Sequence, residues 1–197
     1  MNIKKNTFKS LDKIAKASPS ELLSLLDTVK NRSYKYINKV LPKYFKLKTT
    51  NIKKVYNKLQ TLKMSYARTN YVDDIKANIA ELILLILLAR IGMSVFYVSK
   101  SVKPEVIIMR TLKDFMTSIK KHKKDDGVLT ILIEGAKKTF TKAIDEISES
   151  FTNEIKHGHP FGWFMLLVTY ISFSLLFLEL VILLRLYVLD YQTSMSS

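Results

Sequence analysis

Residues 161–189, FGWFMLLVTYISFSLLFLELVILLRLYVL, are apolar on every side. A surface helix of a water-soluble domain keeps one polar face, so a stretch without one must be buried in a core or in lipid. At about 1.5 Å per residue it is long enough to cross a hydrocarbon core with tilt. Trp163 and Tyr187 stand near its ends, where aromatic side chains settle at a membrane interface. A second block, residues 79–98 (IAELILLILLARIGMSVFYV), is close to the length of one span.

The two blocks predict an all-α membrane protein, built as a two-span antiparallel helical hairpin. Its amphipathic helices fall in the N-terminal region and in the loop between the spans. The divisions are a basic helical region (1–78), a first transmembrane helix (79–98), an amphipathic helical loop (99–160), a second transmembrane helix (161–189) and a polar tail (190–197). A single-span alternative, with 79–98 buried in a helical bundle, satisfies the distribution of basic residues more simply.

Charge separates along the chain as sharply as hydropathy does. The net charge is +15, and residues 1–78 carry 18 Lys or Arg against 5 Asp or Glu. Such a balance asks for an anionic partner. Residues 34–48, YKYINKVLPKYFKLK, set Ile37, Val40, Leu41, Tyr44 and Phe45 on one helical arc and Lys35, Lys39, Lys43 and Lys46 on the other. That pattern suits a helix lying in an anionic lipid surface. Nucleic-acid binding and a merely solvated bundle helix are the other readings it allows.

Start and stop signals mark the remaining helices. Ser18-Pro19-Ser20-Glu21 is a capping box with proline at the first helical position. Asn51 caps a candidate with Ile52, Val55, Tyr56, Leu59, Leu62 and Tyr66 at helical spacing. Pro104 opens a helix that stops at the KKHKKDDG run, and Val128 opens a long one that ends at His157-Gly158-His159-Pro160. The apolar stripes of 104–121 and 128–156 want partner helices, and we expect them to grip protein partners in a homo- or hetero-oligomer.

The charges inside the apolar blocks limit the packing. A charge in hydrocarbon costs about 2.5–3.5 kcal/mol on insertion scales, so it pairs or turns inward. Counting from the block ends with the helices antiparallel brings Arg90 and Glu179 to one depth as an intramembrane ion pair. Glu81 and Arg185 then lie near one interface and snorkel.

Nothing points to catalysis. The chain has no cysteine, three histidines and five glycines. It carries no phosphate loop and no nucleophile elbow, and His157 with His159 is too small a ligand set for a metal. The expectation is a non-enzymatic chain without cofactor that fixes partners to a bilayer. A virion inner membrane or minor capsid layer of a large DNA virus would be one setting, an organellar membrane complex another. A small channel subunit and a basic nucleic-acid tether are the alternatives.

Overall fold

The structure, a computed structural model, describes residues 3–34, 71–96, 104–121, 127–158 and 162–196. All of the described elements are α-helices: α1 (Ile3–Lys16), α2 (Pro19–Tyr34), α3 (Tyr71–Phe96), α4 (Pro104–Lys121), α5 (Val128–His157) and α6 (Gly162–Ser196). The lysines 35, 39, 43 and 46 and the helix expected from Asn51 lie outside the described residues.

Local chemistry explains the helix ends. At the start of α2 the Ser18 amide donates to Glu21 Oε2 at 2.8 Å and the Glu21 amide donates to Ser18 Oγ at 3.4 Å. These are the two reciprocal bonds of a capping box. Held by this cap, the Glu21 carboxyl titrates below its ordinary value, first through the Ser18 backbone bond and then through the Ser18 hydroxyl. Proline opens α2 and α4 because a first-turn residue needs no amide donor. Helix α3 begins at Tyr71, well before the apolar block, with Asp73 and Asp74 in its first turn where the helix dipole favours them.

The bundle is organised around α6, which packs against α2, α3, α4 and α5, while α1 packs on α5. Its core is aromatic. Phe140 lies beside Phe173 and Phe177 with ring centroids 6.5 and 5.4 Å apart, and Phe115 meets Phe177 edge-on at 5.1 Å. Leu11, Leu22 and Leu26 from the N-terminal helices, Leu82 and Leu85 from α3 and Leu180 to Leu183 from α6 extend the same cluster. Much of the apolar faces of α4 and α5 is thus occupied within the chain, while Val106, Met109 and Met116 of α4 and Ile155 of α5 stay exposed.

Helices α4 and α5 form an antiparallel hairpin clasped on its outer side by Arg110–Glu146 at 3.1 Å and Asp114–Lys142 at 3.2 Å. Gly135 allows their close approach, since a Cβ there would meet Ser118 Oγ. Lys137 reaches Asp12 to tie in α1.

Among the described residues one helix, α6, is long and apolar enough to cross a membrane. It runs about 52 Å at 1.5 Å per residue, and its most apolar window has a mean hydropathy of 2.4. In the folded chain 72% of that window is covered by the other helices. The second span of the expected hairpin is therefore not established by the fold itself. Block 79–98 instead belongs to a helix that starts eight residues earlier than its composition suggests, and ends at Phe96.

Candidate functional site

The most unusual surface of the molecule is made by α3, because this helix is inverted. Its buried side presents Asp74, Asn78 and Glu81, which are 5%, 0% and 3% exposed. Its outer side presents Ile79, Ile83 and Leu87, which are 41%, 54% and 49% exposed. The exposed positions 72, 76, 79, 83, 87 and 90 recur at intervals of three or four and so trace one face. Between Lys76 and Arg90, about 21 Å apart along the helix, that face is wholly apolar.

The inward polar groups meet α2 and α6. Asp74 accepts from Lys30 Nζ of α2 at 3.0 Å, in an ion pair whose carboxylate is almost fully enclosed. Asn78 Nδ2 donates to the Leu176 carbonyl of α6 at 3.1 Å. From α6 itself Ser172 and Glu179, both fully buried, and Arg185, at 7%, join the enclosed polar groups. The guanidinium Nε and Nη1 of Arg185 have no hydrogen-bond partner among the described residues. A buried seam of acids, an amide and an arginine thus runs through an apolar core. Such groups persist only where bonds and charges offset their desolvation.

The Asn78 bond also fixes the register of α3 against α6. Near the other end of the pair Tyr71 lies within reach of Asp190. Burial, then the charges of Asp190 and Asp74, push its phenol above the ordinary value. The helices are therefore antiparallel. Counted from the Asn78–Leu176 bond, Arg90 sits about 22 Å along the axis from Glu179 at 1.5 Å per residue.

No protein-family model, curated protein or solved structure matches this chain.

The charges read from the sequence fall as follows. Arg90 is on the exposed face of α3, Glu179 is enclosed, and the register set by Asn78 and Leu176 keeps them about 22 Å apart along the axis. Counting from the ends of the apolar blocks misplaces the register, because α3 begins well before its block does. Glu81 and Arg185, expected to snorkel outward, are both buried. Trp163 and Tyr187 are exposed, at 42% and 40%, and lie about 36 Å apart along α6. Arg90 comes level with the Trp163 end.

Sequence reasoning missed Asp74, Asn78 and Lys30. The signal for the first two was present: 74, 78 and 81 share one helical face, but the scan for spans began at Ile79.

It also missed Glu154, near the end of α5. The Glu154 carboxylate, 1% exposed, sits where a Cβ on either Gly158 or Gly162 would collide with it. Gly162 is the first residue of α6, whose amides and dipole favour an anion. The two glycines are therefore steric vacancies that admit a carboxylate to the head of the most apolar helix.

Proposed function

We propose that this chain is a non-enzymatic, membrane-anchored structural component whose α3–α6 hairpin crosses the bilayer and holds protein partners to it. The inverted face of α3 carries this reading. In water a helix gains by burying isoleucine and exposing aspartate, and here Asp74, Asn78 and Glu81 turn inward beside the buried leucines while Ile79, Ile83 and Leu87 face outward. In lipid that same arrangement is the favourable one, since charged and amide groups turn to the bundle interior and aliphatic groups meet acyl chains. The band between Lys76 and Arg90 is somewhat thinner than a hydrocarbon core of about 30 Å, and snorkelling of both cations lengthens it. The hydropathy of α6 and the exposed Trp163, level with Arg90, support the same placement.

Carbonate extraction of membranes containing the full chain tests the proposal. The protein should remain in the pellet, and so should Trp163→Phe. Release of the full chain into the supernatant would end the membrane reading.

The basic segment 34–48 completes the proposal as an anionic-lipid contact through Lys35, Lys39, Lys43 and Lys46. Replacing the four with glutamine should weaken binding to anionic vesicles, with added salt mimicking the loss. Equal binding to neutral and anionic vesicles would count against it. The outer faces of α4 and α5 are the proposed grips for protein partners. The setting we favour is an assembly built on a membrane, viral or organellar.

The buried Glu81 and Glu179 favour a second reading, an ion path along the seam. Proteoliposomes of the full chain that pass no protons or cations would eliminate it.

A further inference from the structure

We infer that the apolar face of the α4–α5 hairpin is a surface with two alternative occupants: α6 in the water-soluble chain, and the lipid interface once α6 inserts. This rests on the membrane reading of α3 and α6 given above.

The observation behind it is an incompatibility between the folded chain and a bilayer. Helix α5 runs antiparallel along α6, with Phe151 beside Tyr170 at 5.8 Å and Phe140 beside Phe173 and Phe177 further along. Its outer face carries exposed Glu134, Lys138, Lys142, Asp145, Glu149 and Lys156. If α6 crossed the membrane with α5 still attached, those six charges would face hydrocarbon, and membrane proteins do not place charges there. The hairpin must therefore leave α6 before α6 can span.

The bonding pattern permits that departure. The described ion pairs of the hairpin are internal, Arg110–Glu146 and Asp114–Lys142, or run to α1, Lys137–Asp12. The described contacts onto α6 are chiefly aromatic and aliphatic, with Phe115, Phe140, Leu132, Ile133 and Ala136 in one cluster with Phe173 and Phe177, while Ser150 beside Tyr170 and Glu154 beside Gly162 are polar contacts that must part as well. Acyl chains are as apolar as α6, so this face can exchange one partner for the other with its internal clasps intact. Once released, the hairpin is a pair of amphipathic helices, the form that lies in the headgroup boundary. Glu154, seated against both Gly158 and Gly162, is the latch between the end of α5 and the head of α6.

The absence of cysteine gives a clean test. The full chain carrying Phe140→Cys and Phe177→Cys is synthesised without detergent, bridged with a reducible bis-thiol linker, and offered to phosphatidylcholine–phosphatidylglycerol vesicles. We expect the bridged protein to remain extractable by carbonate, and reduction of the linker to restore resistance. A control bridge across Arg110→Cys and Glu146→Cys, inside the hairpin, should leave insertion unchanged. Bridged protein that becomes carbonate-resistant as readily as the reduced form would overturn the inference while sparing the membrane reading. Failure of both forms to insert would remove the membrane reading and the inference together. A chain that never disperses without lipid would overturn the water-soluble state alone. Should the first pair fold poorly, Phe151→Cys with Tyr170→Cys gives the same comparison.

Discussion

The glycines at 158 and 162 and the carboxylate of Glu154 act as one unit, so their substitutions should not add. Gly162→Ala drives a Cβ into the Glu154 side chain, which is too enclosed to swing into water without loosening the turn. We expect a loss of about 1–3 kcal/mol, the range for a displaced buried polar group. In a Glu154→Ala background the same substitution should cost much less, and a double-mutant cycle on thermal unfolding reads the difference. Additive effects would show that the carboxylate does not occupy that space. The cap of α2 gives a prediction with a pH sign. Because Glu21 titrates below its ordinary carboxyl value in the folded chain, its bond to Ser18 stabilises above the unfolded pKa. That contribution is lost as pH falls through the lower folded pKa. Glu21→Gln should therefore lower the melting temperature at neutral pH and leave it unchanged under strong acid. Ser18→Ala should cost about 1 kcal/mol at neutral pH. This cap was legible in the sequence because its partners lie three residues apart. The Glu154 seat was not, since it depends on how the end of α5 meets the head of α6.

Among the elements, the start and end of α4 and α5 could be read directly, because proline, glycine and charge runs punctuate the backbone itself. Helix α3 could not. The change of composition at residue 79 predicts a boundary there, although the helix continues across it from Tyr71. That error moved the register, and with the register went the partner assigned to Glu179. The Asn78–Leu176 bond supplies what counting could not. Asn78→Leu should cost on the order of 1 kcal/mol in micelles or vesicles, where such contacts are worth less than their burial suggests. The inverted face of α3 separates the two environments more sharply. In a water-soluble bundle Ile83→Lys would alter stability by no more than about 0.5 kcal/mol, as surface substitutions do. At mid-bilayer it should cost about 2.5–3.5 kcal/mol. A topology assay on the 99–160 segment, comparing Ile83→Lys with Lys76→Gln, decides which applies. Translocation unaffected by Ile83→Lys would place α3 outside the membrane.

At the scale of the whole molecule, the helical class and the dominance of one apolar helix were visible from hydropathy alone. The wrapping of α6 was not, because amphipathic stripes announce that a helix needs a partner without naming it. The ion pairs show how that ambiguity is resolved, with charge joining α4 to α5, α5 to α1 and α2 to α3, while α6 is held mainly by apolar contact and by the Asn78 bond. High salt should accordingly loosen the outer helices before the core, and hydrogen exchange should speed up in α1 ahead of α6. Uniform acceleration would show that the layers open as one. The continuity of α3 has a mechanical side as well. One rod about 39 Å long is clasped by Lys30 at one position and pinned to Leu176 one turn further on. The clasp and the pin thus tie α2 and α6 to the same stretch of α3.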